Sequence, residues 1–366
     1  MRYEVARGQA TGRCADILYY LWLSFVYLRV LLWLKSSLMK LFLFLQDRTG
    51  LWALPDWFAE RLRQQFPQLD VVYLSNSDEA EAQLHDAEIA VTVSLSVNQF
   101  QAARKLRWIH SPAAAVHELI FPELVNSDVV LTNGRDVHGP VVAEHVMALI
   151  LAWAKSVPQA VRLQQKHEWG KDIIWNGPHR PREIAGSTLG LIGLGSIGRT
   201  VASHASALGM NVIATRERPE QGSTAGVHQV FASSQIDRVL EQSDFVVLAA
   251  PTTPATRGLI NSERLARMKP DSYLINVGRG PLIDTAALIQ VLRDKKIAGA
   301  ALDVFDIEPL PSDSPLWDLE NLLITPHTAG LTEKLWERQY ALFSENLRRY
   351  LNHEPLLALV DKHRGY

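Results

Sequence analysis

The sequence predicts an α/β protein of two domains, each built on a parallel sheet. Three observations carry this. Short runs rich in Val, Ile, Leu and Ala recur from residue 40 to residue 325, most of them separated by helical patterns. The runs of the second half are nearly continuous in apolar character, as strands covered on both faces must be. At 366 residues the chain is long enough for two domains of ordinary size.

In the first domain, 40–45 (KLFLFL) predicts a strand, 56–66 (DWFAERLRQQF) an amphipathic helix and 69–74 a second strand. Short buried strands are expected at 90–93, 108–109 and 129–132. The run 141–156 (VVAEHVMALILAWAKS) is apolar on most faces and reads as a buried helix leading into the second domain. It also offers a packing or dimer surface. Second-domain strands are expected at 189–193, 211–215, 244–251, 272–277, 298–304 and 322–325, and a long amphipathic helix after Gly330. These elements place a first domain at 39–140 plus 331–366 and a second at 141–330.

Composition excludes some function classes. The chain is 47% hydrophobic and 21% charged with a net charge of −2, which gives no electrostatic footprint for nucleic acid. Cys14 is the single cysteine, so neither an internal disulfide nor a cysteine metal site is possible. The twelve histidines show no metal-binding spacing, and no metal is expected. A reducing cytoplasm suits this chain. Residues 1–38 stand apart, because Ile17 to Leu34 is nearly continuous apolar sequence, about long enough to span a bilayer. Three readings remain open: a membrane anchor, which Arg29 inside the run penalises; a signal peptide, which lacks a small-residue cleavage site; and a chain that starts at Met39. The fold reading begins at Met39.

The stretch LGLIGLGSIGR (189–199) contains Gly193-x-Gly195-x-x-Gly198. It follows an apolar strand, opens a helix and precedes another strand, the context in which this spacing cradles a dinucleotide. Gly193 allows the tight turn, Gly195 lets the backbone approach a pyrophosphate, and Gly198 lets helix and strand pack. The helix N-terminus offers N–H groups and positive dipole to the anion.

An acid roughly 20 residues after these glycines would bind the ribose 2′-hydroxyl of NAD. Here that place reads Thr215-Arg216-Glu217-Arg218. A guanidinium fork matches a 2′-phosphate instead. Arg216 and Arg218, with the Thr215 hydroxyl, point to NADP(H), with NAD(H) the alternative; Glu217 either turns away or partly offsets the charge.

Three more segments fall at strand ends: 276–280 (NVGRG), 303–309 (DVFDIEP) and 325–330 (TPHTAG). In an open α/β sheet ligands sit beyond the carboxyl ends of the strands. Reducing a 2-keto acid needs a cation for the carboxylate and carbonyl, which Arg279 supplies. The new alkoxide needs a proton, which His327 can give. Glu308 on the far ring nitrogen would orient the imidazole and favour its charged form.

With these residues in view, the sequence resembles the D-2-hydroxyacid dehydrogenase family. GLIGLGSIGR, APTTPATRGLIN, INVGRGPLID, GAALDVFDIEPLP and ITPHTAG carry the resemblance, which runs from Met39 to the end. It implies two Rossmann-like doubly wound domains with a cleft between them, usually a homodimer. It assigns Arg279 to the substrate carboxylate, His327 to acid/base work and Glu308 to its partner. It adds Ser196 and Ile197 at the pyrophosphate, Pro251 on the adenosine side, and Val277 and Asp303 near the nicotinamide. Glu308 separates the chain from the similar formate dehydrogenases, which have glutamine there.

The usual glycine-rich acidic substrate loop reads here Ser111-Pro-Ala-Ala-Ala-Val-His117. The N–H groups of Ala114, Ala115 and Val116 remain able to hold a carboxylate, while the methyls narrow the pocket; His117 reads as a surface residue. The arginine pair resembles that of the NADPH-using glyoxylate and hydroxypyruvate reductases. The expectation is a cytoplasmic 2-keto acid reductase, membrane-tethered only if 17–34 is an anchor. The alternative is a cofactor-sensing protein like the corepressors of the same family.

Overall fold

The structure is a computed structural model and describes residues 38–45, 53–74, 84–221 and 224–365. The apolar run 17–34 and Cys14 lie outside the described residues. The chain forms two compact units, one of residues up to 112 with 118–132, the other of 113–117 with 133 onward.

The first unit is built from β1 (Met39–Phe44), α1 (Asp56–Gln65), β2 (Leu69–Leu74), β3 (Ile89–Val91), α2 (Val97–Ala102), β4 (Trp108–Ser111), α3 (Pro122–Val125) and β5 (Val130–Asn133). Its sheet has the order β2-β1-β3-β4-β5, a doubly wound arrangement. β1 runs parallel to β2 from Met39↔Leu69 to Phe44↔Leu74 and is buried from Leu41 on. That burial follows from Leu41-Phe42-Leu43-Phe44, all at most 5% exposed.

The second unit begins with α4 (Gly139–Ala154), α5 (Val157–Gln165) and α6 (Lys171–Asn176). There follow β6 (Thr188–Ile192), α7 (Ser196–Ala207), β7 (Asn211–Arg216), β8 (Gln229–Ala232), α8 (Ile236–Gln242), β9 (Phe245–Leu248) and α9 (Ser262–Leu265). It closes with β10 (Tyr273–Asn276), α10 (Thr285–Arg293), β11 (Gly299–Leu302), β12 (Leu322–Ile324) and α11 (Leu335–Leu351). The seven-stranded sheet has the order β12-β11-β10-β9-β6-β7-β8, all pairs parallel. The order reverses between β6 and β9, the switch point at which such sheets bind ligands.

One face of this sheet packs on α4 and α7 through Val142, Val146, Ile150, Leu191, Val201, Val247 and Ile275. The other packs on α8 and α10 through Ile213, Val239, Leu248, Leu274, Leu288 and Leu302. α4 is therefore a core helix of the second unit, with Glu144, Ala148 and Leu151 left as its exposed stripe. Trp153, near its end, stacks on Tyr273 at 4.3 Å and 16°. A Cβ on Gly299 would sit 2.7 Å from the Trp153 ring, so glycine makes room for the indole. Among the described residues no single helix is long and apolar enough to cross a membrane.

Three differences from expectation have physical causes. Strands expected at 244–251, 272–277 and 298–304 are four residues each. The surplus residues leave the ladder and become the loops of the site. β8 was not expected, because only Phe231 of its four residues is buried and an edge strand that short carries little pattern. Residues 331–365, expected with the first domain, group with the second unit. The Ala358 carbonyl accepts the Asn133 N–H at 3.1 Å, and Arg364 pairs with Glu217 at 3.3 Å.

Candidate active site

The turn after β6 has the form the glycines require. Gly193 adopts φ +103°, and a Cβ there would lie 2.8 Å from the Ala249 carbonyl oxygen, so only glycine fits. A Cβ on Gly198 would overlap the Gly193 carbonyl. At Gly195 a Cβ would meet nothing within 4 Å, so no protein contact demands glycine there. That open side is what close approach by a diphosphate needs. Gly195 is also the N-cap of α7 and provides no side-chain cap. The first-turn N–H groups, those of Ser196 and Ile197 included, are thus left to an anion. The donor set fits a dinucleotide.

At the end of β7, Thr215 is 3% exposed and its hydroxyl lies 3.4 Å from the Gly193 N–H. The hydroxyl accepts from the glycine turn and so braces it. Arg216 is half-buried, with Nη2 donating to Thr224 Oγ1 at 3.2 Å, and Arg218 is exposed. Glu217 accepts from Arg364 Nη1 at 3.3 Å. The C-terminal tail therefore brings a cation to the carboxylate next to Arg216 in the chain. No sequence pattern links residue 364 to residue 217.

Arg279 follows β10. Asn276, 1% exposed, holds its loop: Nδ2 donates to the Arg279 carbonyl at 2.9 Å and Oδ1 accepts from Gly278 N–H at 3.1 Å. Arg279 Nη1 donates to the Gly278 carbonyl at 2.6 Å. Burial lowers the guanidinium's pKa, and the nearby Glu308 charge opposes the shift. The two groups feel each other's charge, although no ion pair within 4 Å joins them. A Cβ on Gly280 would collide with the Phe305 carbonyl, so this glycine lets the Arg279 loop lie against the loop of Glu308.

Glu308 is held at one oxygen by the Phe305 N–H (2.8 Å), and its other oxygen lies 2.6 Å from His327 Nδ1. Since a carboxylate only accepts, Nδ1 donates, and Nε2 is the nitrogen left for a substrate. His327 has φ +54°, the left-handed region. Its N–H donates to the Asp303 carbonyl at 2.9 Å. The Asp303 carboxylate, 1% exposed, accepts from Thr325 Oγ1 (2.6 Å), Thr328 N–H (2.9 Å) and Ala329 N–H (3.1 Å). Asp303, expected near a nicotinamide, ties its carboxylate into the His327 turn. Val277, expected near the same ring, is 5% exposed in the core. Pro251 is exposed and its carbonyl accepts from Thr256 Oγ1 at 2.7 Å.

Leu302 and Val304 flank Asp303 in the chain. They line a cavity of about 360 Å³ with Leu288, Leu310 and Leu316, a lining that includes none of Arg279, Glu308 or His327.

The 113–116 loop is tied by its carbonyls: Ala114 O accepts from Asn133 Nδ2 at 2.7 Å and Ala113 O from Gly134 N–H at 3.3 Å. Among the described residues none accepts the N–H groups of Ala114, Ala115 or Val116. Val116 is buried and His117 exposed. Sequence reasoning missed Asn276, His145 and Arg364. Asn276 was inside a quoted motif, but its role depends on a turn geometry that spacing does not reveal.

Comparison with known proteins agrees with this geometry. The family model for the D-isomer specific 2-hydroxyacid dehydrogenase NAD binding domain matches residues 147–329. A glyoxylate reductase of Thermofilum pendens is 35% identical over 278 residues, 74% of this chain and 80% of that protein. A D-isomer specific 2-hydroxyacid dehydrogenase of Xanthobacter autotrophicus, solved with NADPH and MES, is 32% identical with a TM-score of 0.77, covering 88% of this chain and 99% of that one. An NADPH-dependent glyoxylate/hydroxypyruvate reductase of Sinorhizobium meliloti, solved with NADP and sulfate, is 27% identical with a TM-score of 0.75, covering 90% and 100%. Glycine cradle, guanidinium and carboxylate-braced imidazole thus stand on a sheet shared with these enzymes, and the chain belongs to the D-isomer specific 2-hydroxyacid dehydrogenase family of NAD(P)-dependent oxidoreductases.

Proposed function

We propose that this enzyme reduces a small 2-keto acid of the glyoxylate or hydroxypyruvate class to a D-2-hydroxy acid, with NADPH preferred over NADH. The carrying observation is the contact of His327 Nδ1 with Glu308 Oε2 at 2.6 Å, with the loop of Arg279 packed through Gly280 against the loop of Glu308. The nicotinamide supplies the hydride. Arg279 binds the substrate carboxylate and draws charge from the keto oxygen as it becomes an alkoxide. His327, oriented by Glu308, gives the proton from Nε2 to that oxygen. The free N–H groups of Ala114, Ala115 and Val116 bind the other carboxylate edge.

The glycine turn at Gly193, Gly195 and Gly198, with Ser196 and Ile197, takes the diphosphate, and Pro251 flanks the adenosine. Arg216 and Arg218 take the 2′-phosphate, and the Glu217–Arg364 pair supports this cofactor choice. Residues 141–330 hold all of these groups except Arg364 and the 114–116 loop, which suits a cofactor domain there. The reductive direction and a cytoplasmic site of action follow from pools of reduced NADPH. Exposed Val157, Val161, Trp169, Ile173 and Trp175 form an apolar surface on and around α5 and α6 that suits a homodimer.

The test is a purified-enzyme assay with glyoxylate, hydroxypyruvate and phenylpyruvate, each with NADPH and NADH. Turnover of a short keto acid with NADPH ahead of NADH is expected. Tight NADPH binding with no turnover across the panel overturns the reading.

A further inference from the structure

One imidazole outside the reacting set is built into the support of the His327 turn. His145, on α4, places Nε2 3.2 Å from Thr325 Oγ1 and 3.7 Å from Asp303 Oδ1. Thr325 Oγ1 lies 2.6 Å from the same Asp303 oxygen. A hydroxyl has one proton, and a carboxylate can only accept, so Thr325 spends its proton on Asp303. Its oxygen is then left as an acceptor, and His145 Nε2–H is the donor that faces it. The hydrogen bonds run in one direction: imidazole to hydroxyl to carboxylate. Burial, which favours a neutral ring, lowers the His145 pKa against the opposing pull of Asp303. The neutral ring protonated at Nε2 serves this chain.

The far end of the chain is the turn itself. The carboxylate of Asp303 collects the Thr328 and Ala329 N–H groups, and its carbonyl collects that of His327. A left-handed histidine is strained, so the turn persists only where its surroundings over-determine it. Packing alone does not call for histidine at 145. Its neighbours on α4 that face the core are Val142, Val146 and Leu149, and a leucine would fill such a site as well.

We propose that His145 is a positioning residue: by donating to Thr325 it commits that hydroxyl to Asp303, and so holds the 327–329 turn with the His327 ring on Glu308. This rests on the reading of His327 as proton donor. Misplacing a reacting group by about 1 Å can cost on the order of a hundredfold in rate.

The test compares His145→Leu, His145→Gln, Thr325→Val and His327→Ala in the full-length enzyme with NADPH and glyoxylate. His145→Leu fills the space and donates nothing; His145→Gln restores an N–H donor. The expected result is a kcat loss of about tenfold to hundredfold in His145→Leu with KM for NADPH within about twofold of wild type. His145→Gln recovers most of the loss. Thr325→Val breaks the chain at its middle, gives a loss of the same size, and adds little on top of His145→Leu. If His145→Leu does not fold, the Gln and Val variants carry the comparison. Wild-type kcat in His145→Leu or in Thr325→Val overturns the proposal, as does equal loss in the Leu and Gln variants. Wild-type turnover in His327→Ala instead overturns the proton-donor reading, a separate failure.

Discussion

His327 and Glu308 meet at 2.6 Å although neither side chain is buried, being 50% and 35% exposed. An ion pair so open to water contributes about 0–1 kcal/mol to stability. Its worth lies in chemistry. Glu308→Gln is expected to leave thermal stability within about 0.5 kcal/mol of wild type while lowering kcat at least tenfold. His327→Ala is expected to lower kcat by about a hundredfold to ten-thousandfold with NADPH binding retained. Thermal melts and steady-state kinetics on the same preparations check both; a large loss of stability with normal kcat contradicts the assignment.

Cofactor choice rests on Arg216. Arg216→Asp removes a guanidinium and adds a repelling carboxylate, so NADPH binding should fall by roughly tenfold to a hundredfold. NADH use should rise or hold. Arg364→Ala, which removes one cation from Glu217, should move the ratio in the same direction by a smaller factor. Specificity constants with both cofactors decide this, and an unchanged ratio in Arg216→Asp places the 2′-phosphate elsewhere.

Gly280→Ala tests how two loops meet. The added methyl would overlap the Phe305 carbonyl, and backbone must give way. The Phe305 N–H holds Glu308 at 2.8 Å, so displacement reaches the carboxylate. A stability loss of about 1–3 kcal/mol is expected, with kcat falling alongside it. Gly195→Ala meets nothing in the protein, so it should keep wild-type stability and weaken NADPH binding. Denaturation curves and cofactor titrations separate the two.

Acid sensitivity has an identifiable source in Asp244. Burial alone would raise its pKa; the hydrogen bonds from Lys269 and the Thr188 N–H, with the charges of Lys269 and Arg182, outweigh burial and lower it. A carboxyl group with a lowered folded-state value stabilises the fold above its unfolded pKa of about 3.9. That contribution is lost as pH falls through the folded value. Asp244→Ala should cost about 1 kcal/mol at pH 7, part of the interaction being screened by solvent, and nearly nothing at pH 2. Urea denaturation at both pH values gives the comparison.

The apolar surface around α5 and α6 predicts an assembly effect. Trp169 is 94% and Trp175 57% exposed, with Val161 at 44%. Val161→Asp with Trp175→Asp should turn a dimer into a monomer on size exclusion with light scattering. A wild-type monomer removes the proposed interface.

Much of this protein is legible in its residues alone. Near-continuous aliphatic runs determine parallel strands buried on both faces, because only a covered sheet accepts such runs. The Gly193 turn is legible because φ +103° admits little but glycine, and the strand before and helix after it are legible too. Arg279, Glu308 and His327 are readable as chemical types at strand ends, and their convergence then follows from topology.

What tertiary structure decided are the partnerships that cross sequence distance. Thr215 also braces the glycine turn, since strand pairing puts its hydroxyl 3.4 Å from the Gly193 N–H. Asp303 also anchors a turn, since four donors reach it from residues 325–329. His145 lies 180 positions from Thr325 and Arg364 lies 147 from Glu217, so neither pair leaves a trace in local spacing. Local patterns encode which residues sit at strand ends, because period and propensity act over a few residues. Hydrogen-bond direction and charge balance depend on which side chains the folded sheet brings within about 3 Å, and that is settled only when the chain has packed.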